Sequence, residues 1–139
     1  LSTEARLGPN RSVLDICDGK GYASCCGLIT CDWVGAASEE KLPKTVVLKM
    51  NSIKGLRRLN DLMPAGQKMF DYSEEQRAQT EKSMSVIHNE ECAAYELLED
   101  FDNLAQPKKY LGKHVEEGGE VSGQLCLEYI ENSRMMNAH

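Results

Sequence analysis

The sequence predicts an α+β fold, a five-stranded, mainly antiparallel sheet with one long helix packed on it. Three observations predict it. Three β-rich runs, "SVLDICD", "SCCGLITCDWV" and "TVVLKM", come first, separated by glycine- and proline-bearing turns. A stretch from Ser73 to about Asp100 then carries the signals of a long helix. Two more β-like runs, "KKYLGKHV" and "GQLCLEYI", follow it. A chain of 139 residues has room for one domain with a real core, and not for two.

The elements are justified in order. Residues 12–18 form a strand that ends at the glycine turn "DGKGYAS", and residues 24–34 form its hairpin partner. Residues 35–44, "GAASEEKLPK", are small, polar and proline-bearing, so they form a loop. Residues 45–50 are β-branched and strongly strand-forming. The stretch 52–64 could be helical, although Gly55 weakens it, and Pro64-Ala65-Gly66 ends it. Ser73 and Gln76 fit a capping box, and Glu74 and Glu75 suit the positive end of a helix. Pro107 restarts the chain in extended form, and Glu116-Glu117-Gly118-Gly119 turns it between the last two strands. The tail, 131–139, has no pattern of its own.

Composition narrows the function. Apolar residues make up 41% and charged residues 27%, the balance of an ordinary globular domain. A net charge of −6 argues against nucleic acid as partner. No apolar run reaches the length of a membrane span, and no signal-peptide pattern opens the chain. The six cysteines include no C-x-x-C pair and no histidine at zinc-finger spacing. They read as reduced thiols of an intracellular, cytoplasmic protein, with no metal site. The first residue is Leu1, so residues 1–139 are expected to be a piece of a longer domain.

The chemistry starts on the long helix. Met84, Ile87, Ala94, Tyr95 and Leu98 recur at steps of three and four, and Glu91 falls within their stripe. A carboxylate aimed at a packing partner needs a cation or an open cleft. In "TVVLKM", Val46, Leu48 and Met50 share one strand face, while Val47, Lys49 and Asn51 share the other. Lys49 is out of place in such a strand. A misplaced base and a misplaced acid explain each other if they meet. The alternative is an edge lysine whose stem snorkels and a glutamate at the rim of the stripe.

Gly19, Gly21 and Ser24 stand at the positions of G-x-G-x-x-G, with serine in the third place and Lys20 between the glycines. The loop joins strand to strand, which disfavours the dinucleotide-binding and Walker types. It fits a hairpin lid over phosphates, or a plain turn. Glycine hairpin, strand lysine and helix glutamate, in that order, make the ATP-side half of a kinase fold. "LCLEYIEN", residues 125–132, then stands where a hinge would bind adenine. Leu127 would face the adenine pocket, and the backbone of Glu128 and Ile130 would make the adenine hydrogen bonds. By itself this stretch fits an ordinary buried strand equally well.

The blocks "LGPNRSVLDICDGKGYASCCGLITCDW", "LPKTVVLKM", "HNEECAAYELLE" and "LCLEYIEN" resemble the nematode CHK kinase-like proteins. Those are similar in turn to choline kinases and aminoglycoside phosphotransferases. The resemblance runs from about Glu4 to Asn132 and implies a protein-kinase-like N-terminal lobe. It implies that Gly19, Lys20, Gly21 and Ser24 form the phosphate loop, that Lys49 binds phosphate, and that Glu91 is its ion-pair partner. It implies a hinge at Glu128 to Ile130, with ATP and Mg2+ as cofactors. The activity implied is transfer of the ATP γ-phosphate to a hydroxyl of a small molecule, whose identity stays open.

Family members use an H-G-D-x-x-x-x-N loop and a metal-binding Asp in a D-W-Q-like stretch, and neither occurs here. Asp32 in "DWV" precedes Lys49 and is not that Asp. No catalytic residue is therefore expected in this chain. Its Mg2+ ligands are expected in an absent second lobe, and the fragment is expected to be inactive. The alternative is a non-catalytic module that binds a nucleotide or a protein. In either case the sheet face that a second lobe would cover invites that lobe or self-association.

Overall fold

The computed structural model describes residues 3–17, 24–37, 39–53, 56, 60–64, 66–67, 73–101, 103–116 and 123–131. Its strands are β1 (Arg6–Leu7), β2 (Ser12–Asp15), β3 (Ser24–Thr30), β4 (Trp33–Val34), β5 (Thr45–Asn51), β6 (Lys109–Lys113) and β7 (Gln124–Glu128). The long helix, α1 (Glu74–Leu98), lies between β5 and β6 in the chain.

Five strands form one sheet in the order β2-β3-β5-β7-β6, and every pairing is antiparallel. The predicted α+β class, the five-stranded sheet and the single long helix are all present. β5 is central because its β-branched Thr45, Val46 and Val47 suit a strand paired on both sides. β2 is an edge, and its Val13 and Leu14 are exposed.

Two boundaries differ from expectation. Residues 24–34 do not form one strand. The chain breaks at Cys31-Asp32, and β4 leaves the sheet to pair with β1 in a separate two-stranded ribbon. Asp32 causes the break. Its backbone carbonyl accepts from Gly8 N–H at 2.6 Å, and its carboxylate Oδ2 accepts from Asn10 N–H at 2.9 Å. Gly8 is buried against that carboxylate, where a Cβ would collide with Asp32 and Val34. The first strand is also shorter than 12–18 and stops at Asp15, whose Oδ1 accepts from Cys17 N–H at 2.9 Å. In the 52–64 stretch, residues 56 and 60–62 are helical, as expected, while 54–55 and 57–59, the turn at 117–119 and the tail from 132 lie outside the described residues.

The helix begins where its capping signal places it. Ser73 Oγ accepts from Gln76 N–H at 3.2 Å, and Glu74 and Glu75 fill the first turn. At the far end Gln106 Nε2 donates to the Leu98 carbonyl at 2.8 Å, filling one of the carbonyls a helix end leaves open.

The buried stripe of α1 is a correction. Ile87 is 51% exposed and Ala94 is exposed as well, whereas His88 and Cys92 are the buried residues. The packed face runs through Met84, His88, Cys92, Tyr95 and Leu98, with Glu91 on its flank. His88 can be buried because its Nε2 meets the Lys113 carbonyl at 3.0 Å and Cys92 Sγ at 3.4 Å.

Candidate functional site

The register of the sheet assembles the site. Cys26 stands opposite Lys49, Lys49 opposite Leu125, and Leu125 opposite Gly112. These four share one row on one face, because cross-strand partners point the same way. α1 lies on that face. A Cβ on Gly112 would meet Cys92 Sγ and Glu96 Oε1 at ordinary contact distance, so the helix packs directly over β6 there. Leu125, between Lys49 and Gly112, is fully buried.

Lys49 therefore projects from the third strand of the five-stranded sheet toward the helix, and Glu91 meets it. Lys49 Nζ lies 2.7 Å from both Glu91 oxygens. The side chains are 30% and 29% exposed, so the pair is partly shielded and partly in solvent. The pair expected from two misplaced charges is present. Its surroundings carry its electrostatic imprint: burial raises the Tyr95 phenol above its usual range, and the Glu91 carboxylate adds to that rise.

One step along the strands on the same face is a second row, Leu28, Val47, Leu127 and Lys109. Leu28, Val47 and Leu127 are half-buried and make an apolar strip next to Lys49. Lys109 ends that row beneath the helix, 3.6 Å from Glu96 and 3.4 Å from Glu99. Asn89 completes the fastening: its Nδ2 donates to the Val115 carbonyl at 3.1 Å, and its Oδ1 accepts from Val115 N–H at 2.8 Å.

The other expected site residues fall as follows. Gly19, Lys20 and Gly21 lie outside the described residues. Ser24 opens β3 opposite Asn51, on the Lys49 face. Leu127 is on that face as well, beside Val47. Glu128 gives its N–H to the Lys108 carbonyl at 2.8 Å, and its carboxylate accepts from Lys108 N–H at 3.1 Å. Of its two backbone groups, only the carbonyl could serve a ligand. Ile130 follows β7 and is exposed. Among the described residues no group of three His, Cys, Asp or Glu side chains could hold a metal, and no helix is long and apolar enough to cross a membrane.

Residue patterns did not single out Leu28, Val47, His88, Asn89 or Lys109 as parts of the site. The row of Leu28 and Val47 follows only once the strands are in register. The fastening residues are polar, and an apolar-stripe search passes over them. The four-residue spacing of His88 and Cys92 was the one signal that could have revealed them.

A family described as uncharacterized oxidoreductase dhs-27, a domain of unknown function numbered 1679, matches residues 1–139. The chain belongs to that family. No curated protein and no solved structure matches it.

Proposed function

We propose that this chain is the ATP-binding lobe of a CHK kinase-like phosphotransferase, with a protein-kinase-like fold. The observation that carries the reading is the Lys49–Glu91 pair, with both carboxylate oxygens 2.7 Å from the ammonium. A lysine on the third sheet strand, held by a glutamate of the following helix, is how protein kinases present a cation to the α- and β-phosphates. Lys49 would bind those phosphates, and Glu91 would hold its ammonium in place. The apolar strip of Leu28, Val47 and Leu127 fits a flat base laid beside that cation. Glu128 would offer its carbonyl and Ile130 its backbone to the base.

ATP would supply the phosphoryl group for a small-molecule hydroxyl. These residues offer neither a base to activate that hydroxyl nor an aspartate motif for Mg2+, so the chain binds and orients and does not by itself transfer. The family description contains the word oxidoreductase. A dinucleotide-binding crossover needs parallel neighbouring strands, and every pairing among the described residues is antiparallel.

The test is calorimetric titration of the chain with ATP in the presence of Mg2+, and separately with NADH. The reading expects saturable ATP binding and none for NADH. Binding of NADH alone, or of neither nucleotide, contradicts it.

A further inference from the structure

Two thiols meet where β2 hands over to β3. Cys26 N–H donates to Cys17 Sγ at 2.9 Å, and the Cys17 thiol reaches the Ser24 carbonyl at 3.6 Å. The backbone beside them is held by Ile16 N–H donating to the Cys26 carbonyl at 3.0 Å. Ser24 Oγ lies 4.0 Å from Cys26 Sγ. Both thiols are free and partly accessible. The other cysteines are placed differently. Cys25 stands opposite Met50, on the other face from Cys26. Cys126 stands opposite Leu48, also on that other face, and Cys92 is buried on the packed face of the helix.

We propose that Cys17 and Cys26 are an oxidation site, a dithiol that a peroxide closes to an intramolecular disulfide beside Lys49. The Cys17 thiolate attacks one peroxide oxygen, the O–O bond breaks, and hydroxide leaves. Cys17 becomes a sulfenic acid, with its sulfur oxidised by two electrons. The Cys26 sulfur then attacks the Cys17 sulfur, the S–O bond breaks, and water departs with the Cys26 proton. The net change is two thiols and one hydrogen peroxide to one disulfide and two waters. Burial, followed by the neighbouring Cys17 side chain, holds the Cys26 thiol above its ordinary range, so Cys17 meets the peroxide first and Cys26 gives up its proton as its sulfur attacks. A sulfur 2.9 Å from the Cys26 amide nitrogen is within about a side-chain rotation of Cys26 Sγ. This site stands independently of the nucleotide reading.

The test is intact-mass measurement under non-reducing conditions after hydrogen peroxide treatment, followed by peptide mapping. The treated chain is expected to be about 2 Da lighter, to regain that mass with dithiothreitol, and to yield a peptide joining Cys17 to Cys26. Cys17→Ser and Cys26→Ser each remove the mass loss, while Cys25→Ser keeps it. In Cys26→Ser, dimedone traps the sulfenic acid on Cys17, which keeps the test readable without the second thiol. A linkage between Cys31 and Cys126, a purely intermolecular disulfide, no mass loss, or its persistence in Cys17→Ser would each overturn the proposal.

Discussion

The helix is fastened to the sheet in two unlike ways. Over β6 and the residues that flank it the attachment is redundant. His88 on the Lys113 carbonyl, Asn89 bonded twice to Val115, and Lys109 between Glu96 and Glu99 all hold one side of α1. Over β5, among the described residues, the ion pair of Lys49 with Glu91 makes the attachment. The difference separates scaffold from site. On the β6 side the buried His88 and the half-buried Asn89 bond backbone groups, with the Lys109 ion pairs beside them, and backbone bonds to buried groups are costly to break. The β5 side presents one partly exposed cation whose partner sets its direction and adds little to stability.

Breaking the scaffold has the largest effect. Gly123 precedes β7, and a Cβ there would collide with the His88 ring and lie 2.8 Å from Val115 Cγ2. Gly123→Ala is expected to cost about 2 to 3 kcal/mol of unfolding free energy, measured by urea denaturation. Breaking the site pair costs less: Glu91→Gln is expected to lose about 1 kcal/mol or less by the same measurement. It leaves the helix content seen by circular dichroism unchanged, because the β6 side still holds. An equal loss in the two variants would erase the contrast between the two attachments.

The smallest effect lies in pH. The hydrogen bond from His114, with Lys109 nearby, holds the Glu96 carboxyl below its ordinary range. A depressed carboxylate contributes stability that is present above its unfolded pKa and lost as pH falls through its folded pKa. Unfolding midpoints should therefore fall on acidification below the ordinary glutamate range. Glu96→Gln should make that slope slightly shallower, and an unchanged slope would remove Glu96 from the β6 attachment.

Part of this contrast was legible in the sequence, and it was the less stable part. Lys49 and Glu91 stood out because each is a charge in an apolar pattern, and a mutual partner is the cheapest resolution of both. Ser73 marked the helix start because capping is local chemistry. The β6 attachment was not legible, because His88 and Asn89 turn inward only where the backbone of 113–115 satisfies them, with Cys92 packed beside the His88 ring. Ile87 and Ala94 looked like core for the same reason reversed. Their spacing is correct for a helix face, but that face is turned to solvent. The break at Asp32 was hidden because its cause is Gly8 and Asn10, more than twenty residues earlier in the chain. The thiol pair was hidden in turn, since register sets which cysteines share a face.

The most direct test of the site is the ATP affinity of Lys49→Met against that of the unsubstituted chain, with both shown to be folded by circular dichroism. Methionine keeps the apolar stem and removes only the ammonium. If Lys49 holds the phosphates, affinity falls at least about tenfold, roughly the worth of one charge-assisted contact. Equal affinity in the two proteins would contradict the assignment of Lys49 and, with it, the reading of the lobe.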